Sequence, residues 1–145
     1  MTTDSIYKKY KMGVCRLEMN YELKTDKSFD EAIKSIKEHL EKCKFGVLWE
    51  LNFKNKLAEK GFEFGRDIQI LEVCNPGNAF EVLGKNIEVA YFLPCKIVVY
   101  EKDDGMYIGM VRPQKLIELL GDDNLQRIAT SIESDLKKAI QDASK

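Results

Sequence analysis

Apolar and polar residues alternate strictly from Cys15 to Lys24. Cys15, Leu17, Met19, Tyr21 and Leu23 fall on one side, and Arg16, Glu18, Asn20, Glu22 and Lys24 on the other. A period of two predicts a long strand with one wet face. One wet face favours an antiparallel sheet over a parallel sheet covered on both sides.

The period then changes. Ser28 and Glu31 form a capping box, and Ala32, Ile33, Ile36 and Leu40 recur at helical spacing, which predicts a helix. "KFGVLWEL" predicts a second strand, with Phe45, Val47, Trp49 and Leu51 on one side. "NFKNKLAEKG" predicts a short helix capped by Asn52 and stopped by Gly61. In "RDIQILEVC" the apolar residues fall on both sides, which predicts an interior strand covered on both faces. Asn75 and Pro76 then start a helix: Asn caps it, and Pro suits the first position, where no N–H is needed. Ala79, Phe80 and Leu83 give that helix its apolar side, and Gly84 is its expected end.

"IEVAYFLP" is ambiguous between strand and irregular chain. "CKIVVYEKDDGMYIGMV" predicts a β-hairpin turning at Asp104-Gly105. Pro113 opens a short helix ended by Gly121. Leu125, Ile128, Ile132, Leu136 and Ile140 then mark a final amphipathic helix over about residues 122–143. The expected fold is α+β, with helices packed on one face of a mainly antiparallel sheet.

Length and composition add bounds. A chain of 145 residues is expected to form a single domain with a real core. Basic and acidic residues nearly cancel, 23 against 24. A nucleic-acid groove normally carries a basic excess, so no nucleic-acid partner is expected. No apolar run approaches a membrane span, and the first residues hold no apolar signal core. No membrane association is expected, and a cytoplasmic location is. The four cysteines, Cys15, Cys43, Cys74 and Cys95, are spread out, with no CxxC pair. That excludes a zinc knuckle and a thioredoxin-type motif.

The candidate chemistry lies in "VCNPGNAF" and "FLPCKIVVYE". Cys74 ends a strand just before a helix N-terminus, whose free N–H groups and dipole favour a thiolate. The alternative is a small buried hydrophobe, as most free cysteines are. Cys95 follows Leu93-Pro94, where proline shapes the entry into a strand. The two thiols begin or end neighbouring elements, so they either meet or lie at opposite ends of adjacent strands. Glu72 shares the Cys74 face by period two. If that face is partly buried, its carboxyl can act as an acid or base. If Leu71 and Val73 face the core, Glu72 is wet. Glu101 stands in the same relation to Cys95. His39, the sole histidine, lies beside a helical stripe and reads as a solvated or satisfied helix residue. Two thiols alone make a poor zinc site, so no metal is expected. No GxGxxG or P-loop occurs, and no cofactor is expected. The aromatic residues Trp49, Phe53, Phe62, Phe64, Phe80, Tyr91, Phe92 and Tyr100 read as core.

"GFEFGRDIQILEVCNPGNAFEVLG" followed by "FLPCKIVVYEKDDGMYIGMV" resembles the family catalogued as domain of unknown function 302. The pattern covers about residues 12–117 and is most specific at Cys74-Asn75-Pro76, Leu93-Pro94-Cys95 and Val98-Val99-Tyr100-Glu101. The resemblance implies a small α+β protein similar to the TATA-binding-protein-like arrangement, acting as a homodimer. It brings no catalytic residues, and catalysis is not the expected role. The final helix then reads as an extension.

Two functions remain. One is a homodimeric binding or assembly domain with a small-molecule or anion site at Cys74, Asn75, Cys95 and Glu72. The other is a thiol-dependent redox, sulfur-handling or soft-metal protein using Cys74 and Cys95. Nucleic-acid binding has only fold analogy behind it.

Overall fold

The computed structural model describes residues 19–145. Cys15 and the first half of the alternating segment lie outside the described residues. The elements run β1 (Asn20–Thr25), α1 (Phe29–Lys42), β2 (Gly46–Asn52), α2 (Phe53–Glu59), β3 (Ile68–Cys74) and α3 (Pro76–Lys85). A 3-10 helix (Ile87–Phe92) leads into β4 (Cys95–Lys102) and β5 (Gly105–Val111). Then follow α4 (Pro113–Glu118), a 3-10 turn (Asp123–Leu125) and α5 (Gln126–Ser144).

The fold is α+β. The strands form one sheet in the order β1-β5-β4-β3-β2, with every neighbour antiparallel. Helices α1 and α5 lie side by side across one face. Facing strand residues share a face, so the register shows which side chains meet those helices. Leu71 and Val73 of β3, Ile97 and Val99 of β4, and Ile108 and Met110 of β5 are buried there. From the helices come Ala32, Ile36 and Leu40, and Ile128, Ile132, Leu136 and Ile140. Each of the buried Val, Leu, Ile and Met side chains stabilises the fold by roughly 1.5–3 kcal/mol, before conformational entropy is set against it. The helical stripes predict these contacts because every third or fourth residue of a helix returns to one side.

Local signals hold at most element ends. Ser28 accepts from Glu31 N–H at 3.2 Å, and the Glu31 carboxylate accepts from Ser28 N–H at 3.0 Å. Asn52 and Asn75 cap α2 and α3 through the N–H of Asn55 and Asn78, each at 3.1 Å. Helix α4 differs: Arg112 sits at its cap position and supplies no side-chain acceptor. The acceptor comes from α5. The Glu133 carboxylate takes the Gln114 N–H at 3.3 Å, and also Arg112 Nε at 3.2 Å and Nη2 at 3.1 Å. Lys137 Nζ lies 3.4 Å away. Glu133 is 1% exposed, and this cluster is what makes its burial tolerable.

Five expectations change. Strand β2 does not alternate throughout. A bulge at Leu48 shifts the register between Val47 and Trp49. Val47 faces the helices opposite Val73, while Trp49 and Leu51 pass to the other face opposite Glu72 and Ile70. Strand β3 is interior but covered on one face only; Ile68 and Ile70 stay half-buried on the side without helices. "IEVAYF" is neither strand nor irregular but a 3-10 helix, started by Asn86 accepting from Glu88 N–H at 2.9 Å. The hairpin turns at Asp103-Asp104, one residue early, because Lys102 pairs with Gly105. Most of the aromatics are not core: Phe80 and Tyr91 are 85% and 86% exposed, and Trp49, Phe53, Phe62 and Phe64 are exposed too. The core is aliphatic apart from Phe45 and Met110, and Val82 takes the buried place on α3. Among the described residues, no helix is long and apolar enough to cross a membrane.

Candidate functional site

The register separates the two cysteines. Cys95 opens β4 opposite Val73, so it leaves the sheet on the helix side. Cys74 is one residue further along β3, opposite Gly46 of β2, and leaves on the open side. Glu72 shares that open side, opposite Lys96 on one flank and Trp49 on the other. Leu71 and Val73 thus take the core, and Glu72 stands partly wet.

At this end of the sheet lies a cavity of about 380 Å³. The 3-10 helix and its exit give Val89, Phe92, Leu93 and Pro94 to its wall, across a cis Leu93–Pro94 peptide. Helix α4 gives Pro113, Leu116 and Ile117, and α5 gives Ala129 and Ile132. Val82 and Val111 complete the apolar lining. The polar contributors are Glu72, Cys95 and Lys96, with Tyr91 at the rim. Lys96 Nζ stands 3.6 Å from Glu72 Oε1, with side chains 45% and 19% exposed. The gap is longer than a hydrogen bond, so the pair is held by charge alone.

The cavity brings together Glu72, Leu93, Pro94 and Cys95. Cys74 and Asn75 are not part of its wall. Asn75 is occupied as the α3 cap, so its side-chain oxygen already takes the Asn78 N–H. That contact is one a thiolate or bound anion would have competed for. The titration of the thiols follows burial. Burial raises the Cys74 thiol rather than letting the helix terminus lower it. Burial pushes Cys95 from the ordinary 9.0 up to about 12, and negative charge at Cys74 and Glu72 adds to the rise. Cys43, at the end of α1, is raised by burial and by Asp135. A thiol held protonated is a weak nucleophile and a weak metal ligand. His39 is satisfied as expected, its Nδ1–H donating to the Ser35 carbonyl at 2.8 Å. Glu101 shares the Cys95 face at the far end of β4. Among the described residues, no three His, Cys, Asp or Glu side chains gather to hold a metal ion.

Lys96 and the α4 and α5 walls were not foreseen. Lys96 carries one usable signal, since period two places it beside Glu72 if β3 and β4 pair antiparallel. Nothing local marks Ile117 or Ala129 as cavity residues.

The family model described as "Domain of unknown function DUF302" matches residues 21–143. The chain belongs to the DUF302 family. The match takes in α5, so the last helix falls within the family's span and not beyond it. Among solved structures, the DUF302 chain is similar to the crystal structure of an uncharacterized conserved protein DUF302 from Bacillus stearothermophilus. The two share 38% sequence identity with a TM-score of 0.84, over 88% of this chain and 98% of that one. No curated protein matches the chain.

Proposed function

We propose that this DUF302 domain is a small-ligand-binding module, with its site in the cavity bounded by Leu93, Pro94 and Cys95. The observation that carries this reading is an apolar cavity of about 380 Å³ with one loose ion pair, Glu72–Lys96, among its polar lining. Ligand sites are typically concave and mostly apolar, with a few polar groups that fix orientation. The raised Cys74 and Cys95 thiols weigh against the thiol-dependent alternative. The test is a thermal shift with phenylbutanol, a neutral apolar probe. Tm rises for the wild type and not for Ala129→Phe, whose ring fills the cavity. A wild-type Tm unmoved at millimolar phenylbutanol overturns the reading.

A homodimer in the cytoplasm belongs to the same proposal. Phe80 and Ile87 support a contact surface, since they leave large apolar side chains 85% and 73% exposed. Sedimentation equilibrium decides it, and a monomer at micromolar concentration overturns it.

A further inference from the structure

Glu72 and Lys96 are not equivalent at the cavity. Glu72 has a short side chain fixed in an interior strand and is 19% exposed. Lys96 is 45% exposed and carries its charge on a flexible four-carbon stem. A ligand head group must replace one of them as the partner of the other. If an ammonium approaches Glu72, Lys96 swings into water, where a lysine head is well solvated. If a carboxylate approaches Lys96, the Glu72 charge stays where it is and repels it. Trp49 stands directly opposite Glu72 on β2, and facing strand residues hold their Cβ atoms about 5 Å apart.

We infer that the cavity takes a primary amine with an apolar body, its ammonium on Glu72 in place of Lys96 and its body among Leu93, Ile117 and Ala129. A volume of about 380 Å³ lies at the small end of the roughly 300–1,000 Å³ typical of small-molecule pockets, which sets a compact body. An arylalkyl amine has that size and shape. The inference rests on the cavity being a ligand site, as proposed above.

Calorimetric titration with phenylbutylamine, phenylbutanol and phenylbutyrate tests it, since the three share a body and differ in the head. The amine is expected to bind about tenfold tighter than the alcohol, the scale of one charge-assisted contact, with the acid weakest. Glu72→Gln removes the amine's advantage over the alcohol. Lys96→Met keeps or raises amine affinity, because a competitor for Glu72 is gone. Quenching or enhancement of the single tryptophan, Trp49, locates the head group. Equal affinity for all three probes, tighter binding of the acid, or an amine preference that survives Glu72→Gln overturns the inference and leaves the cavity reading intact. Absence of binding by all three overturns both.

Discussion

Two ion pairs stand on the same open face of the sheet, at opposite ends. At the hairpin end, Glu22 of β1 is bound by Lys102 and by the Tyr100 hydroxyl. The Lys102 ammonium sits 4.4 Å from the centre of the Tyr107 ring and 5.5 Å from that of Tyr100. Tyr107 in turn donates to Asp104 at 2.8 Å. At the cavity end, Glu72 has Lys96 at 3.6 Å and no hydrogen bond to it. The side chains are alike, and both lysines stand on β4. The difference is that one carboxylate is held by several neighbours and the other is left open to a new one. Charge pairs knitted into a network define a structure, while a loose pair at a cavity defines an opening.

The scale is set by a third pair. Removing the buried carboxylate in Glu133→Ala takes an anionic partner from Arg112 and Lys137 and uncaps α4, and is expected to cost about 3–5 kcal/mol in chemical denaturation. Next comes Gly109→Val, directly opposite Glu22 on β5. A Cβ there meets Glu22 Cβ at 2.9 Å and the Tyr21 carbonyl oxygen at 3.1 Å, and the backbone oxygen has little room to give. The expected loss is about 1–3 kcal/mol, with the β1–β5 pairing the first region to lose amide protection. The comparison itself is decided by Glu22→Gln against Glu72→Gln. The first is expected to cost about 1–2 kcal/mol, and the second to stay within about 0.5 kcal/mol of wild type. Equal losses from the two would erase the distinction between the ends.

The smallest effect at neutral pH belongs to Cys95. Its folded-state value lies above the unfolded one, so the folded chain holds the proton more tightly. Stability is therefore unaffected below pH 9 and falls as pH rises from 9.0 toward about 12, where the unfolded thiol ionises and the folded one does not. Cys95→Ala flattens that decline. A wild-type denaturation midpoint that does not drop more steeply than the variant's over this window contradicts the burial of the thiol at the cavity.

Much of the fold was legible because its causes are local or periodic. The Ser28–Glu31 capping box, the caps at Asn52 and Asn75 and the stripe from Leu125 to Ile140 each act through residues a few positions apart. The α+β class follows from them. Trp49 was misplaced because one extra residue at Leu48 reverses every later side chain in β2, and nothing in "GVLWEL" marks the bulge. The aromatics were misplaced because hydrophobicity says which residues favour burial, not which ones the topology leaves outside. The site was half legible. Glu72 and Cys95 were named and do share a cavity, but its walls come from segments widely separated in sequence. The helix terminus beside Cys74 was read correctly as geometry. Its effect on the thiol was not, since burial depends on tertiary packing that the sequence does not display.

The cap that Glu133 lends to α4 ties two positions, 112 and 133, into one hereditary unit. Arg112, Gln114 and Glu133 lie on two helices, yet the start of one helix depends on a carboxylate carried by the other. A lineage that loses the acid at 133 can keep this cavity wall by placing Asp, Ser, Thr or Asn at 112, restoring a cap from within the chain segment itself. Substitutions at 112 and 133 are thus expected to occur as matched pairs, and a change at either position alone to be rare among relatives.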